Sequence, residues 1–206
     1  MAHLVRLRDR CLVPWLAAFA IAAGLSGEAS AHPHVWIDAT VNLAFKDKKI
    51  EAMNITWVFD EAYSAATIAD FGKHERGKMD QAELRGLVAQ SEKSLSHYSF
   101  FTYLQIDGAR RRVEKVTNFS AEVKGGRLIY RFTVPVAPPV DPLRQRFEFL
   151  LYDETYYVYV ALLEKGKGLS VSGEAPGLCT DSRQQDLGTP LYFGSDYPTL
   201  VHVSCE

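Results

Sequence analysis

Residues 35–45, Val-Trp-Ile-Asp-Ala-Thr-Val-Asn-Leu-Ala-Phe, alternate apolar residues with smaller or polar ones. A period of two sends one face of a strand into a core and the other toward water, and it excludes an amphipathic helix. Residues 46–49, Lys-Asp-Lys-Lys, read as a turn, and residues 50–59 as a second strand rich in β-branched and aromatic side chains. Together they predict a hairpin. From Glu61 the period changes: Ala62, Ala65, Ala66 and Ala69 fall at helical spacing, and Gly72 ends that helix. A second helix carries Met79, Leu84, Leu87 and Val88 on one face, with Asp80 as its N-cap and Glu83 completing a loose capping box.

After Leu95 the strand pattern returns over residues 100–106, 113–123 and 127–136, with turns at Asp107-Gly108 and Gly125-Gly126. Pro135, Pro138, Pro139 and Pro142 predict a linker. Two further strands, 147–152 and 156–163, are expected to be joined through Asp153-Glu154-Thr155 as a late hairpin. About eight strands and one helical pair predict an α+β fold. It is expected to be a β-rich, sandwich-like single domain with a two-helix insertion over about residues 61–95, after the second strand.

Residues 1–31 read as a cleaved signal peptide. Arg6, Arg8 and Arg10 form a positive segment, and Ala29 and Ala31 stand at the small-residue positions of a cleavage site. The apolar run between them is roughly 15 residues, short of the ~20 that a membrane-spanning helix needs. Residues 32–206 are therefore expected to be periplasmic and not inserted in the membrane. The net charge of −2 becomes about −3 without the leader, which gives no electrostatic case for nucleic acid or an anionic membrane as partner. Cys11 leaves with the leader. Cys179 and Cys205 remain, and an even count in an oxidising compartment predicts a disulfide. Closing a loop of about 26 residues, it would contribute roughly 3 kcal/mol.

Cleavage after Ala31 makes His32 the terminal residue of Ala29-Ser30-Ala31-His32-Pro33-His34. Binding of copper or nickel through deprotonated amides is blocked, because Pro33 has no amide proton. Chelation by the His32 amine and its own Nδ1 survives, with His34 as a further donor. Such nitrogens suit divalent transition metals (nickel, cobalt, copper or zinc), with affinity rising toward copper. Completing the sphere requires ligands from the fold, and Asp60, Glu61 and Asp153 at strand ends are the candidates. Asp38 shares a strand face with His34, but about 13 Å further on. His74, His97 and His202 are scattered and read as surface or core residues.

Residues 72–83 carry the frame of a calcium loop, with Gly77 sixth and Glu83 twelfth. Gly72, His74 and Arg76 occupy the positions that need oxygen ligands, so calcium is not expected there. Tyr152, Tyr156, Tyr157 and Tyr159 read as core and edge packing rather than a sugar platform. No serine elbow, zinc-protease helix or Cys–His pair with a free thiol is present, so an enzyme is not expected. A copper-dependent oxidative enzyme using the His32 terminus is the alternative, and a metal-free interaction or solute-binding module of a transporter is another.

The opening His32-Pro33-His34-Val35-Trp36-Ile37-Asp38 resembles that of a family of periplasmic proteins catalogued as a domain of unknown function, number one thousand and seven. Trp57-Val58-Phe59-Asp60-Glu61 with Tyr63-Ser64, and Tyr152-Asp153 with Tyr156-Tyr157, are similar to its later motifs. The resemblance covers essentially all of residues 32–206. It implies the periplasmic component of an ABC-type transport system, with genes often beside those of nickel/cobalt permeases. The implied function is a transition-metal-binding accessory protein whose partner is an inner-membrane metal permease or ABC-type transporter. The loop at Gly72, His74 and Arg76 departs from the family's acidic pattern.

Overall fold

β1 (Val35–Lys46) buries every odd-numbered residue from Val35 to Phe45 and turns the even ones outward, as the alternation requires. It pairs antiparallel with β2 (Lys49–Phe59) through a two-residue turn. Asp47 and Lys48 both have positive φ, 49° and 61°, the backbone of a turn whose twist matches a hairpin. The structure is a computed structural model describing residues 34–72 and 77–206. The expected signal peptide, His32, and His74 and Arg76 of the calcium-like frame lie outside the described residues.

α1 (Glu61–Phe71) and α2 (Gln81–Ser96) follow β2, in agreement with the expected insertion. Asp80 caps α2 with a complete capping box: its Oδ1 accepts from the Ala82 and Glu83 amides at 2.8 Å, and the Asp80 amide donates to Glu83. A 3-10 turn at Ser99–Phe101 then delivers β3 (Thr102–Ile106), β4 (Ala109–Arg112), β5 (Thr117–Lys124) and β6 (Arg127–Val140). β7 (Phe147–Leu151), β8 (Val158–Leu162), β9 (Leu169–Gly173), β10 (Cys179–Gln185) and β11 (Thr199–Cys205) complete the order.

The strands form two sheets. Sheet A runs β5-β6-β2-β1-β8, with β9 also on β1, and sheet B runs β10-β11-β7-β3-β4. One apolar cluster draws on both, joining Ile37, Leu43, Ile55, Trp57 and Phe132 of sheet A with Leu104, Phe147, Phe149 and Val201 of sheet B. The fold is thus α+β and sandwich-like, as the strand and helix pattern predicts.

Three expectations are corrected. The prolines do not make a linker: Pro135, Pro138 and Pro139 lie within β6, beyond Thr133, its last partner toward β5. A residue without an N–H is tolerated there because one edge of the strand no longer needs donors. The segment at Asp153 is not a hairpin. β7 belongs to sheet B, whereas β8 crosses to sheet A and runs parallel to β1, with Val35 beside Val158. The strands number eleven among the described residues rather than about eight: β4, β9 and β10 carry too few apolar residues to show a period, and β11 adds a short core strand through Leu200, Val201 and Val203.

Candidate functional site

The register brings three of the sequence-selected positions to one end of sheet A. His34 precedes β1, and its amide donates to the Tyr157 carbonyl at 2.9 Å; that carbonyl also takes the Val35 amide at 3.3 Å. Asp60 follows β2 and extends its pairing with β1, since the Asp60 amide donates to the Trp36 carbonyl at 2.9 Å. Asp153 lies in the segment that launches β8. Asp60 therefore stands opposite Trp36 and diagonal to His34 on the same face. Diagonal neighbours on adjacent strands have side-chain origins roughly 7–8 Å apart, within reach of a shared ion for a histidine and a carboxylate.

Asp60 has two structural duties. Its Oδ1 accepts from the Tyr63 amide at 2.8 Å, which caps α1. Its Oδ2 accepts from the Trp36 amide at 2.8 Å, which ties that cap to β1. Partial burial opposes its ionisation, but amide donors from Trp36, Tyr63 and Ala62, with the Arg127 charge, outweigh this and hold its carboxyl below the usual carboxylate range. The Arg127 Nε–H donates to the Phe59 carbonyl, which places that cation next to the cap. Ser64, fully buried, donates to the Asp60 carbonyl at 2.6 Å and accepts from the Leu128 amide at 3.0 Å, fastening α1 to β6. Glu61 follows in the first turn of α1 and is exposed.

Asp153 behaves differently. It is buried, and its oxygens accept from the Thr155 amide at 2.9 Å, the Thr155 hydroxyl at 2.6 Å and the Val158 amide at 3.1 Å. Those donors turn the chain from sheet B into β8, so the carboxylate faces its own loop. Asp38 stays exposed on β1, opposite Val58. Among the described residues no three His, Cys, Asp or Glu side chains gather as a metal group.

Aromatic side chains frame the same end. The His34 ring lies 4.9 Å from that of Tyr157, and the exposed Trp36 lies 4.6 Å from Tyr159. Tyr157 is itself half-exposed rather than a packing residue. Sequence reasoning missed Tyr157 as a neighbour of His34, because only the parallel β1–β8 pairing reveals it. It also missed Arg127, whose signal would have been a lone cation opening a strand after Gly125-Gly126.

In sheet B, Cys179 and Cys205 face one another across β10 and β11 and are joined as a disulfide. Glu148, buried on β7, accepts from Gln105 at 2.8 Å and Arg146 at 2.8 Å, a satisfied structural network.

No solved structure matches the chain. An uncharacterized protein of Haemophilus influenzae is 30% identical over 135 residues, which cover 66% of this chain and 65% of that protein. An uncharacterized 15.5 kDa protein of Spirochaeta aurantia is 30% identical over 141 residues, 66% of this chain and 96% of its own length. The chain thus spans just under two thirds of the Haemophilus relative. A family model described as "Protein of unknown function (DUF1007)" matches residues 17–186. With most of the chain aligned to that model, the protein belongs to the DUF1007 family.

Proposed function

We propose that the protein is a periplasmic accessory that binds a divalent transition metal at the start of β1 and exchanges it with an inner-membrane transporter. The observation that carries this reading is the diagonal placement of exposed His34 and ionised Asp60 on one face of sheet A. His34 brings an imidazole, Asp60 a carboxylate whose orientation is fixed by two amides, and His32, two residues earlier in the chain, an amine and a second imidazole. That is a mixed nitrogen and oxygen set of the kind nickel, cobalt, copper and zinc accept. The ion is cargo here, so a partly open site, able to release it, suits the role. Nickel or cobalt as the cargo, and a permease or ABC-type transporter as the partner, rest on the gene neighbourhoods of the family.

The test is calorimetric titration of nickel, copper and zinc into protein exported and cleaved in the cell, its terminus confirmed by intact mass. Comparison proteins carry one extra residue before His32, His34→Ala, or Asp60→Asn. Binding that weakens at least tenfold in all three supports the reading. Equal binding by all forms places any metal site elsewhere, and absence of binding by the natural protein refutes the metal role.

A further inference from the structure

Trp57 is fully buried in β2, stacked 5.8 Å from Phe101 and met edge-on by Phe132 at 4.7 Å. Its Nε1–H finds no acceptor among the described residues. Buried donors are almost always paired, so an orphan in the centre of a well-packed sheet points to a missing partner. The same indole lines a cavity of about 170 Å³ that opens to solvent. Phe59 and Tyr130, both buried, line it as well, and the exposed Ser94 of α2 and half-exposed Tyr157 stand at its edge. Where Ser91 faces it, the serine hydroxyl is already engaged with the Tyr130 hydroxyl at 2.8 Å.

Among the described residues the lining contains no charged side chain. A charged ligand would lose its hydration without gaining a counter-ion, and is therefore excluded. Size is equally restrictive. An apolar cavity of about 150 Å³ accommodates benzene, so this one takes a single ring with a short substituent and nothing of drug size. From the volume, the uncharged aromatic lining and the unpaired indole donor, we propose that the cavity is a binding site for a small neutral cyclic molecule bearing one hydrogen-bond acceptor, which takes the Trp57 Nε1–H. The cavity uses the core-facing side of β2, whereas His34 and Asp60 lie toward the outer face of the strand pair; the two regions adjoin at Tyr157, whose ring also lies 4.9 Å from that of His34.

The experiment uses nitrogen-15-labelled protein beginning at His32 and follows the indole N–H resonances of Trp36 and Trp57, assigned with Trp57→Phe. Acetophenone is the probe. Ethylbenzene tests the same shape without the carbonyl, and benzoate adds a charge. Acetophenone is expected to shift the Trp57 resonance downfield to saturation while leaving Trp36 in place. Ethylbenzene should bind about tenfold more weakly, the worth of one hydrogen bond to an otherwise unpaired donor. Benzoate should not bind. Ser91→Phe, or Leu95→Trp where the first variant fails to fold, fills the space and should abolish the response with the far-ultraviolet circular dichroism unchanged. Failure of acetophenone to bind, binding without movement of the Trp57 signal, equal affinity for benzoate, or binding retained in a folded filled variant would each overturn the proposal.

Discussion

Replacing Asp60 with alanine should separate what the carboxylate does for the fold from what it does for a ligand. The substitution removes the cap of α1, and losing an acidic N-cap to alanine costs about 1 kcal/mol. It also strips the Trp36 amide of an acceptor 2.8 Å away. Because Asp60 is half-exposed, water replaces part of that bond, and a further loss of about 1 kcal/mol is appropriate. The sum, about 2 kcal/mol, corresponds to a melting temperature lower by roughly 4–8 °C for a domain of this size. Asp60→Asn keeps one acceptor oxygen for the cap but turns an NH2 toward the Trp36 amide, and should lose about 1 kcal/mol, less than alanine. The assay is urea unfolding of the three proteins followed by circular dichroism. The pH dependence carries a sign. Asp60 has its folded pKa lowered, so its ionic contribution is present above the unfolded value of about 4 and is lost as pH falls through the folded value. The gap between wild type and Asp60→Asn should therefore close on acidification. An alanine variant within about 0.5 kcal/mol of wild type, or equal losses for alanine and asparagine, would refute the assignment of Asp60 as cap and strand tie.

Asp153→Ala leaves the Thr155 and Val158 donors without their buried acceptor and should destabilise the protein by about 3 kcal/mol in the same unfolding assay, more than Asp60→Ala. Replacing Cys179 and Cys205 by alanine should remove roughly 3 kcal/mol and lower the calorimetric melting temperature by about 6–12 °C, and dithiothreitol should then lower only the wild type. The Tyr156 hydroxyl donates to Asp196 at 2.6 Å, and that bond, with burial, pushes its pKa up to about 12. Since the folded value is raised, the stabilisation is complete below the unfolded value of about 10 and is lost as pH rises through the folded one. Ultraviolet titration should show several tyrosines ionising above the ordinary range, and Tyr156→Phe should remove one tyrosine's amplitude near pH 12.

The parts of the fold legible in the sequence are those in which one residue pattern determines one local geometry. Residues 35–59 alternate around a two-residue turn, and Asp80 stands where a helix needs an acceptor for its first amides; the same role of Asp60 at α1 emerges only in the structure. The prolines misled because their meaning depends on whether a neighbouring strand demands a donor, and β5 ends before Pro135. Leu169–Gly173 and Cys179–Gln185 bury little, so hydrogen bonding to β1 and β11, rather than an apolar period, makes them strands. At the candidate site the residue types were readable but their grouping was not. His34 comes diagonal to Asp60 through an extension of the hairpin, a local relation. It meets Tyr157 only because β8 crosses between sheets, which no spacing along the chain encodes.

The position of β1 sets the order in which the fold can be completed. One edge pairs with β2, available as soon as the chain turns at Asp47 and Lys48; the other pairs parallel with β8 along Val35–Ala39 and then with β9 along Val41–Phe45. Asn42 and Ser170, which hydrogen-bond across that second edge, are 128 residues apart. A chain emerging from its N-terminus thus carries a hydrophobic hairpin with one unsatisfied edge until three of the five strands of sheet B have already appeared. Long-range parallel pairing of this kind makes folding slow and leaves the open edge exposed to strangers. Any truncation ahead of Val158 would make that exposure permanent, and such fragments should self-associate through β1.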